Sequence, residues 1–228
     1  MTGWAEFLIA GLIFMASHAV PANPRIKGRI VALLGPRGWV WGFSLLSTGL
    51  LFWVIFAAGR APFVELWPQA GWMRWLLNIA MPLAVVLGTF GVAAPNPFAF
   101  EGRTDGFDPD RPGIAGVVRQ PLLWALILWS GAHLIANGDL SHAILFGVFL
   151  AFSLMGMRAM EARKRRLWGE AEWARLAANT SDWPFQALIA GRWRPRRGPS
   201  MLRLGLAVVL WAGIFHLHAP VIGFSPLP

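Results

Sequence analysis

The chain has no cysteine among its 228 residues, which excludes a disulfide scaffold, thiolate metal sites and a thiol nucleophile. Charge is scarce as well: 14% of residues are Asp, Glu, Lys or Arg, against about 25% in a soluble domain. Acidic residues are the scarcer sign, 11 against 20 basic, for a formal net charge of +9. A basic excess can mark a nucleic-acid binder, but these arginines stand beside apolar runs rather than on a polar reading face, so nucleic acid is set aside. What the chain has in abundance is apolar surface, 56% of residues, with 14 Trp and 16 Phe. That content excludes disorder. With a mean hydropathy of +0.53 it indicates an integral membrane protein whose first partner is the lipid bilayer.

A bilayer core about 30 Å thick takes roughly 20 mostly apolar helical residues. Six stretches meet or approach that length, at about 4–22, 38–59, 75–94, 121–138, 141–158 and 201–222. The expected fold is an all-α polytopic bundle of about six spans, a single transmembrane domain over residues 1–228. The first stretch lacks a basic leader and a small-residue cleavage site, and reads as a retained helix. Pro82 should kink the third, and the few residues between the fourth and fifth predict a tight antiparallel hairpin. Six alternating spans put 18 of the 20 basic residues on one side. By the positive-inside rule that side is the cytoplasm of a bacterial inner membrane, with both termini periplasmic. The basic segment 159–200 carries Trp168, Trp173, Leu176 and Trp183 at near-helical spacing, which predicts a cytoplasmic amphipathic helix on the inner leaflet.

Ionisable groups inside spans are costly, and each is a functional candidate. They are Glu6, His18, His133, His142, His216 and His218. Neutral imidazole is a common ligand for metals and haem iron, so histidines on two different helices can clamp one iron. The alternative is that each ring donates to a nearby backbone carbonyl and packs the bundle. His216 and His218 are two residues apart and point away from each other on a helix. Asp105, Asp108 and Asp110 cluster in a loop, but Pro109 and the lack of a closing glutamate leave a solvated turn rather than a calcium loop.

Three runs carry a family resemblance: SHAVPANPRIKGRIVALLG at 17–35, RQPLLWALILWSGAHLIANGD at 119–139, and the basic stretch that ends in ANTSDWPF at 178–185. Together they resemble the NnrU family of bacterial membrane proteins. That family is similar to the 15-cis-zeta-carotene isomerases, membrane enzymes that hold haem b between two histidines. The resemblance implies haem b as cofactor, with His18 and His133 as axial iron ligands. It makes Arg25, Arg29 and Arg119 candidate propionate contacts. It also implies a role in nitrogen-oxide respiration. Two other readings stand beside that one. One is a haem-dependent isomerase of a hydrophobic polyene such as zeta-carotene, and the other is a non-catalytic assembly helper of a respiratory membrane complex. Whether the chain is an enzyme stays open. Ser130 stands where the isomerases carry cysteine, and Arg119-Gln120-Pro121 where the family usually reads Arg-His-Pro. A wider resemblance to isoprenylcysteine methyltransferases is interrupted at Gln120, Leu122 and Leu123.

Overall fold

The computed structural model describes residues 3–99 and 102–227. It is helical: α1 (Gly3–Ala22), α2 (Pro24–Arg60), α3 (Gly71–Gly91), α4 (Ile114–Val117), α5 (Pro121–Asn137), α6 (Leu140–Ala177), α7 (Gln186–Ile189) and α8 (Met201–Ile222). Among the described residues, α1, α2, α3, α6 and α8 are long and apolar enough to cross a membrane, and α5 is a shorter apolar helix of 17 residues. At 1.5 Å per residue α5 is about 26 Å long, at the lower bound for a span. Large apolar side chains face outward on these helices, among them Leu12, Leu45, Trp75, Val209 and Leu217. In water such a surface would drive aggregation; against hydrocarbon it is the solvated face. The chain is a multi-pass membrane protein.

Its contacts group into two units, residues 1–68 with 137–145, and residues 69–136 with 146–228. In the first, α1 and α2 run antiparallel. Arg60 at the end of α2 pairs with Glu6, and Trp53 Nε1 donates to the same carboxylate at 3.2 Å. Phe7, Ala10 and Phe14 form one buried stripe of α1, at helical spacing. The basic residues after α1, between the expected spans 4–22 and 38–59, stand in a helix over 24–34. Asn23 caps them, its Oδ1 accepting from the backbone N–H of Arg25 (3.0 Å) and Ile26 (3.3 Å), and Pro24 occupies the first helical position. The helix breaks at Gly35, whose φ of +72° precedes Pro36.

The hairpin between α5 and α6 turns on Gly138 and Asp139. The backbone N–H groups of Leu66 and Trp67 donate to the Gly138 carbonyl at 2.8 and 3.1 Å, and Leu140 donates to Val64 at 2.9 Å. Asp139 caps α6 by accepting from the His142 backbone (3.2 Å), the Ser141 hydroxyl (2.7 Å) and His142 Nδ1 (2.7 Å). Burial pushes the Asp139 carboxyl up, but these donors outweigh it and hold it below the usual carboxylate range.

In the second unit α3 and α8 lie antiparallel, tied at both ends. Arg203 of α8 donates to the carbonyls of Thr89 (3.1 Å), Phe90 (2.8 Å) and Val92 (3.2 Å), closing the C-terminus of α3. At the other end Asn78 and Arg74 donate to the carbonyls of Pro226 (2.9 Å) and Leu227 (3.2 Å). Pro82 lies within α3, and the helix continues through it. α6 runs on past the apolar stretch to a break at Gly169 (φ +75°), after which its last turns fold back. The predicted helix is present only as far as Ala177; residues 178–185, Trp183 among them, form a turn, and 190–200 are not helical. The aromatic side of the helix is covered by the protein, however: Trp173 and Leu176 are buried with Phe98 and Ala115, and Trp168 packs against them. Trp183 lies outside this cluster and is 58% exposed.

Gly138 has φ +71°, and a Cβ there would lie 2.3 Å from the Trp67 carbonyl oxygen. Gly138→Ala should therefore cost the left-handed penalty of about 1–2 kcal/mol plus displacement of the 64–67 backbone. Gly147 in α6 has open space around it, so Gly147→Ala should be neutral or mildly stabilising. Thermal unfolding of the two variants in detergent checks the contrast.

Candidate functional site

His18 sits late in α1, half-buried, within the first unit. Its Nδ1 lies 2.8 Å from the Phe14 carbonyl, one helical turn back, and 3.2 Å from the Ser17 hydroxyl. A carbonyl only accepts, so Nδ1 carries the proton and Nε2 the lone pair. That lone pair faces the Ser47 hydroxyl of α2 at 3.2 Å. Phe14 (4.2 Å between centroids) and Phe43 (5.4 Å) flank the ring.

His133 belongs to the second unit and repeats this local geometry on α5. Its Nδ1 lies 2.8 Å from the Trp129 carbonyl, again four residues back, which fixes the same tautomer. Phe146 (4.9 Å) and Trp129 (5.6 Å) border the ring. One turn below, the Ser130 hydroxyl is buried and donates to Leu126 at 2.6 Å. Each imidazole is thus oriented by its own helix and carries its basic nitrogen at Nε2, the form that ligates iron. The donor chemistry fits haem. Arg25 and Arg29 lie exposed on the helical turns after Asn23.

Arg119 has other partners. Its residue is 9% exposed, and its Nη2 lies 2.5 Å from Glu161 and 3.6 Å from Asp182. Nη1 donates to Thr180 Oγ1 at 3.3 Å, and the guanidinium sits over the Phe98 and Trp173 rings. The Glu161 contact is ionic and outside hydrogen-bond geometry, leaving Arg119 Nε and Glu161 Oε1 without hydrogen-bond partners. The backbone joins the same two sequence runs. Arg119 N donates to Ser181 O (2.7 Å), Ser181 N to Ala115 O (3.0 Å) and Phe185 N to Val117 O (2.8 Å). Phe185 is held there at φ +63°, in the left-handed region. Gln120 Nε2 donates to Phe98 O at 2.7 Å, and Asn96 Nδ2 to Arg119 O at 2.9 Å. Sequence reading assigned Arg119 to a propionate and missed Glu161, Asp182, Thr180, Asn96 and Gln120. The one usable signal was Glu161, the first acid after a long apolar stretch.

The remaining candidates are accounted for locally. His142 pairs with Asp139, and His218 Nδ1 lies 2.8 Å from the Phe224 carbonyl. His216 is exposed, and Glu6 is held by Arg60 and Trp53. Asp108 pairs with Arg111 at 2.7 Å. That hydrogen bond holds the Asp108 carboxyl below the usual range. No group of three or more His, Asp or Glu side chains placed to hold a metal ion occurs among the described residues.

Breaking a buried pair leaves the surviving charge uncompensated, at about 3–5 kcal/mol. Arg119→Met and Glu161→Leu should each destabilise by amounts of that order, and the double variant by clearly less than their sum. Unfolding in detergent reads the cycle; additive losses would show that the two side chains do not depend on each other.

No curated protein and no solved structure matches the chain. A family model described as NnrU protein matches residues 6–226, nearly the whole length, and includes both histidines and the Arg119 cluster. The chain belongs to the NnrU family.

Proposed function

We propose that this membrane protein binds haem b through His18 and His133 and serves nitrogen-oxide respiration, the role the family resemblance implies. The observation that supports the reading is the shared tautomer: each Nδ1 is committed to the carbonyl four residues back, the contact also expected of a histidine that only packs, and this makes Nε2 the basic nitrogen of each ring. Bound there, haem supplies a one-electron ferrous–ferric couple. The residues do the rest. The Phe14 and Trp129 carbonyls hold the ring orientations. Ser47 occupies the His18 lone pair and must turn its hydroxyl away for ligation. Arg25 and Arg29, exposed and cationic, suit propionate carboxylates. The 18-to-2 division of basic residues supports a bacterial inner membrane with periplasmic termini.

Protein purified from haem-replete cells should show a Soret band and sharp α and β bands on dithionite reduction, with b-type haem by pyridine haemochrome. His18→Ala and His133→Ala should each convert the low-spin spectrum to high-spin or lose haem. His142→Ala, His216→Ala and His218→Ala should leave it unchanged. If the histidines only pack the bundle, each substitution costs about 1–3 kcal/mol without spectral selectivity. A colourless preparation, or haem lost on His216→Ala but kept on His18→Ala, refutes the assignment. Reporter fusions at Gly191 and at the C-terminus should report opposite sides.

A further inference from the structure

The segment Arg192-Trp193-Arg194-Pro195-Arg196-Arg197 places four arginines in six residues. Elsewhere, the exposed Arg60, Arg111, Arg165 and Arg175 each pair with a carboxylate, whereas Arg25 and Arg29, also exposed, show no ion pair with the described residues. Arg194, Arg196 and Arg197 are exposed and make no hydrogen bond or ion pair with the described residues. The segment is nevertheless anchored. The backbone N–H groups of Arg192 and Trp193 both donate to the Ala187 carbonyl, at 2.9 and 3.2 Å. Arg192 Nη1 donates to Ala178 at 2.7 Å. The Trp193 ring lies so close to Gly116 that a Cβ there would meet it at 2.6 Å. Pro195 and Pro199 limit the backbone beyond that anchor.

Position then selects the partner. Ser200 caps α8, accepting from the Arg203 backbone at 3.4 Å, and the apolar span begins at Met201. Four residues of chain reach at most about 14 Å, so Arg197 lies within that distance of the span's first residue. The polar headgroup layer extends roughly 5–8 Å beyond the hydrocarbon on each side, within reach of arginine side chains on this segment. An open polar cleft of about 560 Å³ lies between residues 108–111 and 192–196, with Arg194 and Arg196 among its walls. Arg111 neutralises Asp108 there, so Asp110 is the remaining acid against two unpaired guanidinium groups.

We infer that Arg194, Arg196 and Arg197 form a binding site for the phosphodiester headgroup of an anionic phospholipid, beside the start of α8. Guanidinium offers paired N–H donors matched to phosphate oxygens. The Trp193 anchor holds those donors at one height relative to the bilayer surface. The inference is independent of haem.

The test uses full-length protein, delipidated in a neutral detergent, with phosphatidylglycerol binding followed by native mass spectrometry against phosphatidylcholine of the same chains. The R194A/R196A/R197A variant spares Arg192 and Trp193, so the anchor stays intact, and an unchanged thermal midpoint confirms its fold. Its affinity for phosphatidylglycerol should fall about a hundredfold, from the usual contribution of a basic residue near an anionic surface. R158A/R163A/R166A removes equal charge elsewhere and should change it only a few-fold. Equal losses in both triple variants would reduce the effect to net charge and overturn the site. So would equal binding of phosphatidylcholine by the native protein. Displacement of the lipid by excess inorganic phosphate alone would assign the arginines to a free anion instead.

Discussion

A guanidinium withdrawn from water costs several kcal/mol unless its surroundings replace the hydration it gives up. Around Arg119 that replacement comes from Glu161, Asp182 and Thr180 and from the faces of Phe98 and Trp173. These partners belong to four stretches of chain that have no local reason to meet. The loop before α4 contributes Phe98, the far end of α6 Glu161, its folded-back end Trp173, and the turn before α7 Thr180 and Asp182. Arg119 also stands two residues before α5 begins. The α5–α6 contacts extend from it through the cluster of Val118, Trp124 and Met157 to Trp129 against Phe146 and Phe149. The ion pair therefore registers the two helices at one end of that contact series.

The same demand for satisfied polar groups shapes the helix ends and interiors. A helix terminus leaves several carbonyls or N–H groups unpaired, and hydrocarbon offers them no water. Arg203 answers two carbonyls of α3 and that of its C-cap Val92 with one nitrogen, and its positive charge also opposes the helix dipole. Asp139 and Asn23 do the converse at N-termini. Within the helices, Ser17, Thr89, Ser130 and Ser153 turn their hydroxyls onto carbonyls three or four residues back. These four hydroxyls thus need no partner on another helix.

This division explains what could be read from the sequence. Span positions follow from hydropathy, and the hairpin from the short interval at Gly138-Asp139, because both depend on nearby residues. The helix at residues 24–34 escaped notice because its polarity resembled a loop, although Asn23-Pro24 is itself a helix-start signal. Pro82 lies inside α3, where a proline removes one backbone hydrogen bond. Arg119 was legible as a candidate but not as a structural centre. Glu161 and Thr180 lie 42 and 61 positions further along the chain, and no local pattern encodes such a pairing. Trp168 and Trp173 had the spacing of a membrane-surface helix, which cannot distinguish a lipid face from a protein face. Phe98 and Ala115 supply the protein face.

The histidines show why some site chemistry is nonetheless local. A side chain on a helix leans back over the preceding turn, so a histidine ring can reach the carbonyl four residues earlier without any tertiary partner. His18 and His133 both do so, in different units and with different neighbours. Tautomer and ring orientation are therefore set by secondary structure alone. What tertiary structure adds differs between them. Ser47 brings a hydroxyl from α2 to the basic nitrogen of His18, while Phe146 from α6 borders the ring of His133. The Ser47 hydroxyl has to turn away before Nε2 of His18 can meet any other group. The two imidazoles share a tautomer fixed within each helix, while tertiary structure chooses the neighbours of each ring.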